Sequence, residues 1–291
     1  MLELFAGLAA VSLHALGAKP IVSRIGCKAG YTDAILTLID RDIDSAVALD
    51  RDRPLVSYLR MLAKPEERRN TADRIEGLLT MPARACWELA RKTRENSALA
   101  WLLWTAGARG GIGGFKGLHK HRPNVDGFIP SRQSLVQRLR NFALRGAFET
   151  RAINSRLYTP SVHTVLFGDE SLKQVTAVYL DPPYSGRQGY GRGLDDLRES
   201  TIVALAKLWA TQPKTRVALS WGTPMRIEGF TCHEITAQRR GQTRRSLTRT
   251  SAAGSSPASS TRWCRELPAR RQGHRPRRHG RKERAGDAHA A

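Results

Sequence analysis

Residues 178–186 read VYLDPPYSG, an apolar strand that ends in a carboxylate, two prolines and an aromatic. Val178, Tyr179 and Leu180 have strand propensity, whereas Pro182 and Pro183 have no N–H and cannot extend a ladder. The strand must stop at Asp181. A stiff, extended turn follows, and its carbonyls remain available as hydrogen-bond acceptors. The same residues would also serve as an ordinary strand-ending turn, with Tyr184 as a lid on the core. Two further stretches carry chemistry of the same kind. ELFAGLAAVS, from residue 3, offers a strand, a tight turn at Phe5-Ala6-Gly7 and a helix start. Gly7 there lets the backbone approach a ligand, and the helix N-terminus points N–H groups toward it. SAVALD closes on Asp50, where an acid can grip ribose hydroxyls or simply cap a helix.

The elements that must position these residues are short. LELF (2–5) and SAVALD (45–50) read as strands, and so do the run before Asp181 and RVALSW (216–221). Helices are expected over AAVSLHALG, with Gly17 as its stop, over 30–39 behind Thr32, over RPLVSYLRML and over most of 72–105. Trp87, Trp101 and Trp104 are the expected core anchors of that last region. Helices are also expected over SLVQRLRNFAL and STIVALAKLWA, whereas 107–128 is glycine-rich and basic and breaks all periodicity. Alternating short strands and helices indicate an α/β fold with a mostly parallel sheet. Ligands of such sheets bind beyond the carboxyl ends of the strands, where Phe5-Ala6-Gly7, Asp50 and Asp181 all fall.

Composition narrows the partners. The 291 residues carry a formal charge of +22, and the excess is concentrated in 239–291, with 15 Lys/Arg against 3 Asp/Glu. The remainder is basic as well, which fits a polyanion binder or a solvated basic surface. Cys27, Cys86, Cys232 and Cys264 are scattered, without metal-ligand spacing or a disulfide framework, which suits a reducing cytoplasm. No metal is expected. No apolar run reaches the ~20 residues of a membrane span, and the apolar start lacks the basic region of a secretion signal.

LFAGLAAVS followed much later by VYLDPPYSG resembles the S-adenosylmethionine-dependent DNA adenine methyltransferases that act on the N6 amine. SRIGCKAGYTDAIL (23–36) is similar to that family's glycine–lysine motif through Gly26 and Lys28, although here it follows the F-x-G turn rather than preceding it. GGFKGLHKHRPNVDGFIP (113–130) is similar to its lead into target recognition. The resemblance spans roughly 2–240 and implies a Rossmann-like sheet with a helical and loop target-recognition insertion. It implies catalysis by Asp181, Pro182, Pro183 and Tyr184. The Asp181 side chain and Pro182 carbonyl would accept the two amine hydrogens, and Tyr184 would stack on a base flipped from the duplex. S-adenosylmethionine would meet Phe5, Ala6 and Gly7 at its methionine end, Lys28 near its carboxylate and Asp50 at its ribose. Double-stranded DNA is the implied partner, touched by Arg109, Lys116, Lys120 and Arg122, and a cognate restriction endonuclease is compatible with such a role. The family's acid before D-P-P-Y has no counterpart in TRAINSRLY (150–158), which offers Asn154 and Ser155.

The implied organisation places the first part of the catalytic domain at 1–70, the insertion at 71–148 and the second part at 149–250. A basic tail, expected to be disordered, occupies 251–291. That tail lacks apolar periodicity, contains Trp263 and Leu267 as its only sizeable apolar side chains, and resembles out-of-frame translation of a GC-rich gene; a basic arm for phosphates is the alternative. The expected closing strand of the sheet is missing from this reading. Three functions therefore compete. They are methylation of adenine in DNA; amine methylation of cytosine, RNA or a protein glutamine; and an inactive nucleic-acid-binding relic.

Overall fold

The computed structural model describes residues 1–24, 26–39, 42–116, 118–119, 122–126, 128–153, 174–183, 199–221, 226–237 and 245–252, with Asp169 and Leu172. Tyr184, Asn154, Ser155, Lys120, Trp263 and Leu267 lie outside the described residues, as does the basic tail beyond Ala252. Nine strands are described: β1 (Leu2–Leu4), β2 (Ser45–Asp50), β3 (Leu118–His119), β4 (Arg122–Asp126), β5 (Ala147–Ala152), β6 (Ala177–Leu180), β7 (Arg216–Trp221), β8 (Phe230–Ala237) and β9 (Arg245–Ala252). The helices are α1 (Ala10–Ala15), α2 (Thr32–Ile39), α3 (Arg53–Ala63), α4 (Pro65–Gly77), α5 (Ala83–Thr93), α6 (Ala98–Gly107), α7 (Phe128–Arg140) and α8 (Glu199–Ala210).

Seven strands form one sheet in the order β5-β2-β1-β6-β7-β9-β8, while β3 and β4 make a separate hairpin. From β5 to β7 the strands are parallel, as expected of a Rossmann-like α/β fold, and β9 runs antiparallel to both β7 and β8. The chain moves outward from β1 through β2 to β5, then returns to the other side of β1 as β6. The strand order therefore reverses between β1 and β6, and the crevice beyond their carboxyl ends is the ligand position of such sheets.

Period-2 alternation commits the two faces of the sheet. Leu2, Leu4, Leu49, Val178, Leu180, Val217 and Leu219 pack on Ile202, Leu205, Ala206 and Trp209 of α8. Ala46, Ala177, Tyr179 and Ala218 face the other way, against Val11 and Leu16 around α1 and Ile35, Leu36 and Ile39 of α2. The only large residue in that second strand set, Tyr179, satisfies its buried hydroxyl on Ser220 Oγ at 2.6 Å. Helices α3 to α7 are not a body apart. Leu8, Ala9 and Leu13, in and after the first turn, share one core with Tyr58, Leu62, Trp87, Trp101 and Phe128. The whole of Met1–Gly254 forms one compact unit.

Several elements differ from expectation, among them β8, the β3–β4 hairpin and the early start of α4 at Pro65. Helix α7 begins at Phe128, six residues before SLVQRLRNFAL, because the Phe128 ring is buried against Phe115 and the Arg132 guanidinium stacks on it at 5.3 Å. β5 lengthens the parallel sheet at its β2 edge. The closing strand, read as missing, is present as β9 and runs past Thr250 to Ala252. It pairs with β8 along its length and with β7 from Thr248 to Ala252. Backbone pairing on two sides supplies what an apolar alternation would otherwise provide, and the β-branched Thr248 and Thr250 suit a strand. Among the described residues no helix is long and apolar enough to cross a membrane.

Candidate functional site

Three strand ends meet at one cleft. The Ala6 N–H donates to Leu49 O at 3.1 Å and the Asp181 N–H to Leu4 O at 3.2 Å, so the ladders of β1, β2 and β6 end level with one another. Phe5, Ala6, Gly7, Asp50, Asp181 and Pro183 line a cleft of about 620 Å³ together with Lys28, a size within the ordinary range for small-ligand pockets. Every cofactor-loop residue read from the sequence therefore faces the same space as the Asp-Pro-Pro turn.

The turn after β1 is wound in the left-handed region. Phe5 has φ +58°, Gly7 +52° and Ala9 +49°. For Phe5 and Ala9 such angles cost roughly 1–2 kcal/mol each, and residues of this kind concentrate at functional sites. A Cβ built on Gly7 would have nothing within 4 Å, so the glycine leaves an open approach to the backbone. The helix that follows does not offer its first-turn amides as simply as its sequence suggests. No side chain at the N-cap Ala9 caps α1; instead the Ser12 N–H donates to Glu3 Oε2 at 2.8 Å.

Glu3 was not among the residues the motifs singled out. It lies in the middle of β1 between Leu2 and Leu4, is 2 % exposed and borders the cleft. Burial pushes its carboxyl up to about 7, against the hydrogen bond from Ser12, and the nearby Asp181 charge adds to the rise. The available signal was a lone acid inside a strand otherwise wholly apolar.

Asp50 stitches two strand ends together. Its Oδ2 accepts from the Gly7 N–H at 2.8 Å and its Oδ1 from the Asp52 N–H at 2.9 Å. Burial raises its carboxyl above the ordinary aspartate value, opposed by those two hydrogen bonds. Asp50 is not the helix cap. That part belongs to Asp52, whose Oδ1 accepts from the Leu55 N–H at 3.3 Å at the head of α3, while Arg24 Nη1 lies 3.4 Å from its Oδ2. Each Asp50 oxygen retains a second lone pair for a hydroxyl donor.

Lys28, expected near a cofactor carboxylate, lines the same cleft. Its ammonium reaches both oxygens of Asp181, at 2.6 Å to Oδ1 and 2.7 Å to Oδ2, and also donates to Gly26 O at 3.2 Å. Both side chains are largely buried, at 6 % and 15 % exposure. The glycine–lysine loop and the Asp-Pro-Pro turn, 153 positions apart in sequence, are thus one charged unit.

The far wall of the cleft comes from the α5–α6 region, through Arg94, Glu95, Trp101 and Trp104. Trp101 stacks on Tyr58 with ring centroids 4.8 Å apart, and the Arg94 guanidinium covers Trp104 at 4.6 Å. Trp87 and Trp101 are core anchors as expected, whereas Trp104 is half-buried and borders the cleft.

The residues expected to touch DNA do not share one environment. Arg109 is exposed on a single 3-10 turn. Lys116 sends its amine back to Ala106 O at 2.6 Å, near the end of α6, and desolvation lowers it below the usual lysine value. Arg122 lies on β4. Two glycines of this stretch make room for close neighbours, whereas a Cβ on Gly114 would have none within 4 Å. A Cβ on Gly107 would meet Trp87 at 2.5 Å, and one on Gly111 would meet Ser23 O at 2.5 Å.

No family profile matches the chain, and no curated protein does. Among solved structures, the rRNA methyltransferase aviRa from Streptomyces viridochromogenes is similar at 14% identity with a TM-score of 0.34, over 78% of this chain and 74% of that one. A second structure of aviRa gives 12% identity and a TM-score of 0.33, over 84% of this chain and 81% of that one.

Proposed function

We propose that the protein transfers a methyl group from S-adenosylmethionine to the N6 amine of adenine in DNA. The observation that carries this reading is the convergence of the Asp181-Pro182-Pro183 turn with the Phe5–Gly7 turn and Asp50 on one cleft at the β1/β6 switch. The residues suit the cofactor: an open backbone approach at Gly7, lone pairs on Asp50 for ribose hydroxyls, and buried carboxyls of Glu3 and Asp181 toward a cationic centre. Bound there, S-adenosylmethionine supplies an electrophilic methyl on a sulfonium. The chain's own task is orientation. An amine conjugated with a purine is a poor nucleophile; Asp181 accepts one of its hydrogens and the Pro182 carbonyl the other, drawing the lone pair out of the ring. Position and electrostatics then supply the catalysis, without a covalent enzyme intermediate.

Amine methylation of cytosine, RNA or a protein glutamine would use the same turn. The exposed Arg109, three positions before the cleft-lining Ile112, favours a nucleic acid over a glutamine. The inactive-relic reading rested on a missing closing strand, and β9 removes that ground. The test is tritium transfer from labelled S-adenosylmethionine to duplex DNA, with single-molecule sequencing of DNA from expressing cells. N6-methyladenine within a fixed motif is expected. Label appearing only in RNA or protein would reject DNA as the substrate, and no transfer to any of the three would reject the enzyme.

A further inference from the structure

The Lys28–Asp181 pair poses a problem that the proposed reaction does not resolve. The carboxylate meant to receive a substrate amine already holds an ammonium across both of its oxygens, at 2.6 and 2.7 Å. Resting on the reading of the cleft as an S-adenosylmethionine site, we infer that Lys28 is a resident counter-ion which leaves Asp181 when a cationic cofactor enters and returns when a neutral product is left behind.

Charge and an alternative acceptor both support this. Asp181 is a largely buried carboxylate whose charge a cation must balance, and the carboxyl of Glu3 borders the same cleft. Lys28 provides that cation. A sulfonium brings a second cation to the same cleft, and two cations in a poorly solvated space repel. Lys28 has a second acceptor within reach. It stands on a flexible four-carbon stem in the irregular stretch between α1 and α2, beside Gly26 at φ +91°. Gly26 O, already 3.2 Å from the amine, gives it an acceptor to keep as it withdraws. Methyl transfer would leave a neutral thioether and pass the positive charge to the amine nitrogen, which would shed it as a proton to solvent. Lys28 then regains Asp181, which disfavours renewed amine binding and helps the product leave. Lys28 is in this sense a positioning residue, acting through Asp181 and not on the methyl group.

The test compares S-adenosylmethionine with S-adenosylhomocysteine, which differ in the charge on sulfur, by calorimetric titration of the full chain. In Lys28→Met the preference for the cation should rise about tenfold over wild type, because the competing ammonium is gone. Lys28→Arg should keep the wild-type ratio, and Asp181→Asn should lower it. Lys28→Gln replaces Lys28→Met if the apolar variant does not fold. An unchanged or reduced preference in the charge-removed variant, with the wild type binding both ligands, would overturn the counter-ion and leave the cofactor reading standing. A wild type that binds neither ligand would instead overturn the cofactor reading itself, and the counter-ion with it.

Discussion

Gly7 and Gly111 look alike in sequence, each in a short loop at an element end, and both adopt left-handed backbone, at φ +52° and +78°. Their surroundings are opposite. A side chain on Gly7 would enter empty space at the mouth of the cleft, whereas one on Gly111 would strike the backbone of Ser23 and Arg24. The first glycine keeps a surface open for something that comes and goes. The second lets the 109–111 turn lie directly on the chain leading to Lys28. A glycine-rich stretch among basic residues is thus no evidence of a nucleic-acid loop until the space beside each glycine is known. The cleft and the insert should accordingly fail in different ways when altered.

The cleft should show the largest effect, at Asp181. Asp181→Ala is expected to reduce methyl transfer by at least about 10²-fold, the order seen when one preorganised electrostatic partner is removed. The fold should persist, and S-adenosylmethionine affinity should stay within a few-fold by calorimetry. Full turnover would show that the reacting group lies elsewhere.

The insert should fail through folding. Gly111→Val combines a β-branched residue at positive φ with a Cβ 2.5 Å from Ser23 O. Strain and overpacking together predict a loss of roughly 3 kcal/mol or more, visible as a lower urea midpoint. A melting temperature within a degree of wild type would mean that the loops yield freely.

Glu3 links the cleft to stability through pH. Its folded value of about 7 exceeds the ordinary 4.5, so the folded state holds a proton that the unfolded chain has lost between those limits. The group's contribution is most favourable below pH 4.5, falls as pH rises toward 7 and stays low above it, a change on the order of 3 kcal/mol. Glu3→Gln can still accept from the Ser12 N–H and has nothing to ionise. Its stability relative to wild type should therefore increase between pH 5 and 8 in denaturant titrations. A constant difference would place the titration outside this carboxyl.

Gly7→Val, the counterpart of Gly111→Val, should cost little more than its backbone strain, roughly 1–2 kcal/mol. Its main effect should be at least about a tenfold loss of S-adenosylmethionine affinity, because the branched side chain fills the open approach. A stability loss equal to that of Gly111→Val, with affinity unchanged, would erase the distinction between the two glycines.

What was legible in the sequence follows the same division. Strand ends were readable because a proline pair, a glycine turn and an acid each terminate an apolar run by a local mechanism, so Phe5, Gly7, Asp50 and Asp181 could be placed at one edge of the sheet from propensity alone. The Lys28–Asp181 contact could not, since nothing local in either segment specifies a partner 153 positions away. Asp50 and Asp52 were separable only by geometry; both are acids at the same strand-to-helix junction, and the hydrogen bond from the Leu55 N–H decides which one caps. β9 has no apolar signature in the sequence because its pairing with β7 and β8 is carried by backbone groups.

The smallest expected effect concerns the two basic residues on either side of this glycine stretch. Arg109 is exposed on its turn, while the Lys116 amine is held by Ala106 O at 2.6 Å near the end of α6. A cation that contacts a phosphate releases about one counter-ion on binding, so its loss lowers the slope of log K against log salt by about one. Arg109→Gln should show that change with duplex DNA. Lys116→Met should leave the slope nearly as it was and instead cost on the order of 1 kcal/mol of stability, since a carbonyl at the helix end loses its charged donor. Lys116 carries the same formal charge as Arg109, and net charge alone would predict equal slopes for the two variants. Equal slope changes would thus show that Lys116 swings out to the phosphates when DNA binds, and that the insert exchanges a packing contact for a binding one.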